Sequence, residues 1–254
     1  MIKVATHSIG NHCSHFSKAF WRVNGIGLLV YAVLLRVFDP VNGALDHRLM
    51  APWLNADGTF ALRENWWLTY VAHHGVKNVI IALIVMLLIQ YIGSFYRASW
   101  CHYRWPTGYV LLSTALTTTL VGLLKSQSEH ACPWNLTQVQ QQHVVWLDHL
   151  AKAGHCFPGG HASAGFALIA LFFVYWNQQP KRAVWYLLAT LILGFAMGWG
   201  QMMRGAHFLS HNLWTLWVAW AVNLVLCVIL AMFARYRQYH QHNGKLTLTS
   251  NPPK

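Results

Sequence analysis

The sequence predicts an all-α, polytopic membrane protein built as a bundle of six transmembrane helices. Its 254 residues are 56% hydrophobic and only 9% charged, whereas a soluble domain carries about 25% charged residues. Several uncharged apolar stretches are about 15 to 24 residues long, which is enough to cross a hydrocarbon core at a rise of about 1.5 Å per residue. We therefore expect a single integral membrane domain that spans residues 1–254.

Turn residues and charges separate the six predicted helices. The helices are expected at residues 19–38, 79–96, 109–124, 162–176, 184–203 and 212–234. Asp39 and Pro40 stop the first helix, and the tryptophan-rich segment 66–78 is expected at the membrane interface before the second. A long polar insert, residues 126–160, separates helices three and four and carries most of the groups capable of chemistry. The tail 235–254 is polar, and we expect it to be frayed.

Basic residues predict the orientation of the chain. They cluster before helix one, between helices two and three, between helices four and five, and after helix six. They are Lys3, Lys18, Arg22, Arg97, Arg104, Lys181, Arg182, Arg235, Arg237, Lys245 and Lys254. By the positive-inside rule these segments face the cytoplasm, so residues 1–18 form a cytoplasmic N-terminal segment and residues 235–254 a flexible cytoplasmic tail. The insert and the turn 204–211 then share the outer side. We expect the long first apolar run to remain as an anchor rather than to be cleaved.

The formal net charge of +12 raises the question of a nucleic-acid partner. The basic residues lie mostly at the ends of apolar runs, not in a patch interleaved with exposed aromatic residues, so we interpret them as topology signals. The expected partners are membrane lipids, with no nucleic acid, and no protein partner can be inferred from the sequence.

The glycine loop, residues 155–165, joins the insert to helix four. It contains Pro158, Gly159 and Gly160 directly before His161. A backbone with so little side-chain bulk can approach an anion closely, and the amides at a helix start can bind it. The loop therefore predicts a phosphate site. The alternative is that Pro-Gly-Gly is only a turn before a helix.

Two further segments bring cations or imidazoles to the same outer face. Lys125 ends helix three, and Arg204, His207 and His211 lie between helices five and six. Ionisable groups at a membrane boundary are costly unless they are solvated, paired or bound, so their clustering indicates an anionic ligand. Taken singly, Lys125 is more often a snorkelling anchor, and Arg204 is equally ambiguous.

His207 and His211 are four residues apart, so on a helix they would share one face. One could attack phosphorus while the other orients its ring, because the pKa of histidine is near neutrality. The same spacing suits a zinc pair, although the acidic residues of a catalytic zinc site are scarce in this chain. Two structural histidines with satisfied hydrogen bonds are the third interpretation.

The Lys125 segment, the glycine loop and the turn 204–211, in this order, resemble the signature of the type 2 phosphatidic acid phosphatase family. The members of that family are six-helix membrane enzymes. In that family a lysine is followed after six residues by Arg-Pro, and a Pro-Ser-Gly-His motif comes later. Here Lys125 is followed at that spacing by Cys132 and Pro133, with Cys132 in the place of the arginine. Residues 158–161 match the second motif, with Gly159 in the place of the serine.

The third motif of the family is Ser-Arg, five residues, His, three residues and Asp. His207 matches its histidine, whereas Gln201 stands in the place of the arginine and His211 in the place of the aspartate. Because two arginines are absent from their places, Arg204 is expected to supply a substitute guanidinium from nearly the same helix face as Gln201. A neutral His211 can still accept the N–H of His207, with less electrostatic support for an imidazolium.

The resemblance implies a role for each matched residue. His207 would be the nucleophile that forms a phosphohistidine, and His161 the general acid that later activates water. Lys125 would neutralise phosphate oxygens, aided by the amides of the loop at Gly159 and Gly160. The family removes phosphate from lipid phosphates or pyrophosphates without a metal, so the resemblance implies neither a metal nor another cofactor.

Cys132 and Cys156 each adjoin one of these motifs on the predicted outer side, which in a bacterial cell is oxidising. We predict that they form a disulfide that ties the Lys125 segment to the glycine loop. Closing a loop of about 25 residues would stabilise the fold by roughly 3 kcal/mol. Two free thiols are the alternative.

Together these features predict a lipid phosphatase in a bacterial inner membrane, with its active site facing the periplasm and a lipid phosphate as substrate. The substrate classes of the family are isoprenoid pyrophosphate, phosphatidylglycerophosphate, phosphatidic acid and lipid A, and nothing in the sequence selects one. A phosphotransferase that uses the same histidine and a non-catalytic lipid-binding membrane protein are the alternatives.

Overall fold

The computed structural model describes residues 13–147 and 154–249, and most of these residues are helical. The α-helices are α1 Lys18–Phe38, α2 Ala44–Met50, α3 Val76–Tyr96, α4 Arg104–Ser126, α5 Gly160–Phe166, α6 Ala170–Tyr175, α7 Pro180–Met203 and α8 Leu209–Thr249. Short 3-10 helices cover Ala51–Trp53, Ala98–Tyr103, Pro133–Asn135 and Ala167–Ile169. A two-stranded antiparallel hairpin pairs β1 Thr137–Gln140 with β2 His143–Trp146.

Five helices of the described chain are long and apolar enough to cross a membrane. They are Lys18–Phe38, Trp67–Tyr96, Ala98–Ser126, Pro180–Met203 and Leu209–Gln241. The all-α membrane class is therefore confirmed. The fourth of the six predicted helices corresponds to the shorter apolar segment Gly160–Tyr175, which combines α5, a 3-10 turn and α6.

The helix boundaries differ most from the predicted ones before the second helix and after the sixth. The segment expected at the interface before helix two is a π-helical stretch, Trp67–Gly75, that runs directly into α3. Helix α8 continues past residue 234, where we expected a frayed tail, and ends at Thr249. Residues 1–12 and 250–254, which belong to the predicted cytoplasmic segments, lie outside the described residues.

The short segment of α5 and α6 forms the centre of the packing core. Phe166, Ile169 and Ala170 are fully buried. A Cβ placed on Gly165 would lie 2.6 Å from the Cα of Gly194 in α7, so only glycine permits this approach of the two helices. Helices α5 and α6 are thus packed against α7 rather than exposed along their length.

A second, smaller core holds the insert against the turn between α7 and α8. Met50 belongs to α2, Leu136 to the insert and Phe208 to the turn, and all three are buried in one cluster. The ring of His47 stacks on Trp146 of β2 with the ring centroids 4.5 Å apart. This packing places the insert, α2 and the start of α8 beside one another.

Candidate active site

The structure brings Lys125 and the glycine loop together. Lys125 lies in the last turn of α4. A Cβ placed on Gly160, the first residue of α5, would lie 3.6 Å from the Lys125 Nζ atom. The ammonium group therefore stands at the N-terminus of the helix that carries His161, where it can share an anionic ligand with that helix end.

Backbone hydrogen bonds hold the glycine loop on both sides. The amides of His155 and Cys156 donate to the carbonyls of Ser128 and His130, at 3.1 and 3.0 Å. On the other side, the amide of Gly159 donates to the carbonyl of His211 at 3.1 Å. That amide is occupied within the protein, so the expected role of Gly159 as a phosphate donor is not supported by the geometry. Its function here is to connect the loop to α8.

A disulfide joins the insert to the glycine loop, as predicted. Cys132 and Cys156 are bonded, with their Cα atoms 5.1 Å apart, and both residues are buried. The bond fixes the segment after Lys125 to the residues that lead into Pro158. Together with the backbone hydrogen bonds, it holds the two motifs at one place.

Three histidines, His161, His207 and His211, lie close together beside this loop. His207 lies in the turn before α8 and His211 in its first turn, and both are buried. Their Nδ1 atoms are 3.4 Å apart, and the rings of His161 and His207 have centroids 5.9 Å apart. Within residues 13–147 and 154–249, no group of three or more His, Cys, Asp or Glu side chains is arranged to hold a metal ion.

Burial determines the protonation state of His207. It lowers the pKa of His207 well below its ordinary value, and the neighbouring His211, Lys125 and His161 lower it further. The imidazole is therefore neutral near pH 7 and keeps a lone pair available. A neutral imidazole is the form that can act as a nucleophile.

The side chain of Arg204 contacts both Arg63 and Gln201. Its Nε donates to the carbonyl of Arg63 at 3.0 Å, and one terminal nitrogen lies 3.5 Å from the Gln201 Oε1. The chain reverses at Gly205, which has a φ of 76°, so Arg204 is directed to the segment before α3. One guanidinium nitrogen is therefore engaged by Arg63, while another stays beside Gln201, the position of the family arginine.

Asp46 is a site residue that the sequence reasoning missed. The carboxyl group of this residue in α2 is fully buried and accepts hydrogen bonds from the Ser210 backbone amide at 3.0 Å, the Ser210 hydroxyl at 2.5 Å and the Asn42 backbone amide at 3.1 Å. Ser210 lies between His207 and His211, so Asp46 anchors the start of α8. The signal was available, because the predicted orientation puts residues 41–65 on the outer side and the chain has only six acidic residues.

An apolar cavity of about 820 Å³ opens beside the site, between α3, α4 and α5. Its wall includes Lys125, Gly160 and His161, followed by aliphatic side chains such as Ile84 and Leu88. Charged groups at one end and hydrocarbon along the rest match the shape of an amphiphile with an anionic head.

Asn212 explains why glycine occupies position 159. A Cβ on Gly159 would lie 2.5 Å from the Asn212 Oδ1, and a Cβ on Gly198 would lie 2.7 Å from the Asn212 Cγ. Asn212 is buried between these two glycines, and its amide donates to the Phe208 carbonyl at 3.2 Å. A serine at 159, as in the family motif, has no room here.

We therefore expect Gly159→Ser, which restores the family residue, to lower stability and phosphate release rather than to improve them. Overpacking of this kind costs about 1 to 3 kcal/mol, which corresponds to a fall of several degrees in Tm. The matched control is Gly25→Ala in α1, where a Cβ meets nothing within 4 Å. Adding Asn212→Ala should recover part of the loss, and an unchanged Tm in Gly159→Ser would contradict this explanation.

Comparisons with known proteins place the chain in a family. A model described as PAP2 superfamily matches residues 106–236. No significant match was found among curated proteins or among solved structures. The matched region covers half of the chain and contains Lys125, His161, His207 and His211, the residues that the structure brings together. On this evidence the chain belongs to the PAP2 superfamily.

Proposed function

We propose that this protein is a membrane lipid phosphatase that hydrolyses a phosphomonoester or pyrophosphate on a lipid through a phosphohistidine at His207. The superfamily consists of phosphatases, which supports hydrolase chemistry on lipid-like phosphates. The observation that carries the proposal is the buried His207 beside His161 and His211, next to a cavity that is charged at one end and apolar along the rest.

The first half-reaction transfers the phosphoryl group to the protein. The Nε2 of His207, the ring nitrogen that does not face His211, attacks phosphorus while the bond to the lipid oxygen breaks. His161 gives its proton to that leaving oxygen, and Lys125 neutralises the charge that develops on the phosphate oxygens. In the second half-reaction water attacks phosphorus, His161 takes a proton from it, and the bond to His207 breaks.

This mechanism requires one tautomer of the histidine pair. Nε2 of His207 has a free lone pair only if the ring proton of His207 is on Nδ1. That Nδ1–H group faces Nδ1 of His211 and donates a hydrogen bond to it. His211 then carries its own proton on Nε2, which is buried. A neutral His211 thus orients the nucleophile without the fixed charge that an aspartate would supply.

The apolar cavity supports a lipid as the substrate. Its volume of about 820 Å³ and its aliphatic wall suit a hydrocarbon chain whose phosphate reaches Lys125. The candidate classes are isoprenoid pyrophosphate, phosphatidylglycerophosphate, phosphatidic acid and lipid A. We also propose six membrane passes in a bacterial inner membrane, with both termini in the cytoplasm, the insert outside and the site facing the periplasm. The disulfide beside the site favours an oxidising compartment.

A panel of these lipid phosphates, supplied to the detergent-solubilised protein, tests the proposal. Release of inorganic phosphate that persists after strong chelation supports a metal-independent hydrolase. Transfer of phosphate to an added lipid alcohol with little release to water would instead identify a phosphotransferase. Absence of both reactions on every substrate class would favour a lipid-binding protein and contradict the proposed catalysis.

A further inference from the structure

We propose that Lys77 is a phosphate-binding residue, which supplies a cation that the family motifs provide by arginine and this chain lacks. Lys77 lies in α3, outside the matched region 106–236 and outside the three motifs. The inference rests on the proposed function in so far as the bound phosphate is the head of a lipid substrate. It assigns the recognition of that head to a helix that the family match does not include.

The first observation is that Lys77 and Lys125 line the same cavity. Lys77, Lys125 and His161 are its ionisable wall residues, and the remaining ones are apolar, small or hydroxyl-bearing. In the part of the chain that the structure describes, no acidic residue contributes to this wall. The cavity therefore carries at least two positive charges with no carboxylate to balance them.

The second observation is the relative height of the two lysines. The Thr107 hydroxyl donates to the Gln90 Oε1 at 3.0 Å, which sets the antiparallel register of α3 and α4. Lys77 precedes Gln90 by as many residues as Leu120 follows Thr107, so Lys77 and Leu120 lie at the same height on the two helices. Lys125 is then roughly 7 Å further along the helix axis. The flexible four-carbon stems of two lysines can span that separation and reach a common ligand.

The energetic argument concerns two like charges in an apolar setting. Lys77 is the one charged residue in the sequence of α3, Val76–Tyr96. Ionisable groups within membrane helices are expensive unless they are paired, solvated or part of a site, and two cations that face one cavity also repel each other. Lys77 is exposed, so the cost that applies to it is this repulsion, which an anion between the two lysines removes. A phosphate group, with more than one negative charge, fits this arrangement better than a monovalent anion.

The third observation concerns the positions of the two family arginines and their expected substitute, Arg204. The positions of the two family arginines hold Cys132, which is in a disulfide, and Gln201, which interacts with Arg204. Arg204 donates to the Arg63 carbonyl instead of facing the cavity. None of these three residues lines the cavity, whereas Lys77 does and adds positive charge to the wall that holds Lys125.

Binding of inorganic phosphate to the purified full-length protein in detergent tests this inference. We expect Lys77→Met, which keeps the length of the side chain, to raise the Kd for phosphate by about tenfold or more, because a hydrogen bond to a charged group is lost. Lys77→Arg, which keeps the charge, should stay within about threefold of the unaltered protein. The matched control is Lys181→Met, since Lys181 is an exposed lysine in the first turn of α7, far along the chain from the cavity.

The outcomes separate this inference from the proposed function. Weaker phosphate binding in Lys77→Met alone supports the inference, even if no lipid phosphate is hydrolysed. Unchanged binding in Lys77→Met, or no phosphate binding by the unaltered protein, overturns it, even if hydrolysis is fast. Unchanged binding would identify Lys77 as an anchor that extends its ammonium to the membrane surface. If Lys77→Met fails to fold, Lys77→Gln provides the same comparison.

Discussion

Replacing His207 with alanine should abolish phosphate release from every lipid phosphate that the unaltered protein hydrolyses, with a loss of at least about a thousandfold in kcat. The reason is that, in the proposed mechanism, the phosphoryl group is carried by the Nε2 atom of His207. His207 is buried, and burial lowers its pKa well below the ordinary value, so the unaltered protein presents a neutral nucleophile near pH 7. Alanine leaves the cavity and Lys125 in place, so substrate binding should change far less than turnover.

The covalent intermediate gives this prediction a second readout. A substrate labelled in its phosphate should transfer acid-labile, alkali-stable label to the unaltered protein and none to His207→Ala. His161→Ala should behave differently with an aryl phosphate, whose leaving group needs no proton. That variant should form the phosphoprotein and release it slowly, because the base that activates water is missing.

The matched control for both variants is His102→Ala. His102 is exposed in the connection between α3 and α4, and its ring contacts Tyr103. It should keep full turnover. Equal turnover in His207→Ala and the unaltered protein would remove the catalytic assignment and leave a lipid-binding protein as the better account. Label that persists in His207→Ala would assign the intermediate to another residue.

The spacing of the motifs in the sequence predicted which residues meet in the site. Lys125, His161, His207 and His211 are brought together, and Cys132 is bonded to Cys156. The membrane-spanning helices were predicted from the length of the apolar runs alone. A run of about 20 apolar residues can cross a bilayer as a helix, because a helix satisfies the backbone hydrogen bonds within the segment.

Direction and packing were not predictable in the same way. Arg204 is one turn from Gln201, but the left-handed turn at Gly205 directs its guanidinium to the Arg63 carbonyl. The sequence does not show that Asn212 fills the space above Gly159, because that depends on how α5, α7 and α8 pack. The sequence indicates that Asp46 lies on the outer side, but its partner Ser210 is far away in the chain and only the tertiary fold brings the two into contact.

Asp46 carries the second large expected effect, which concerns stability. Asp46→Ala should lower the free energy of unfolding by about 2 to 4 kcal/mol at pH 5, because it leaves the Ser210 amide and hydroxyl and the Asn42 amide without their acceptor. For a chain of this size that corresponds to a fall of roughly 5 to 15 °C in Tm. Phosphate release should fall as well, since the start of α8 positions both His207 and His211.

Asp46→Asn should act through pH instead. Burial raises the pKa of Asp46 from 3.8 to about 7, against the opposing effect of its hydrogen bonds to Ser210, with a further increase from Asp39. Between about pH 4 and 7 the folded state therefore holds a proton that the unfolded state has released, and stability falls as the pH rises through this window. The contribution is at most about 4 kcal/mol across the window. Asparagine cannot titrate, so the variant should lose this dependence.

The difference in Tm between Asp46→Asn and the unaltered protein, measured from pH 4 to 8, isolates that contribution because all other titrating groups are shared. We expect the variant to be slightly less stable at pH 5, where its amide nitrogen cannot accept the Asn42 N–H, and to become the more stable of the two by pH 8. Asp57→Asn is the control, because Asp57 is exposed and burial does not raise its pKa above the ordinary value. A difference that stays constant with pH would mean that Asp46 remains ionised throughout, so that the hydrogen bonds from Ser210 and Asn42 outweigh its burial.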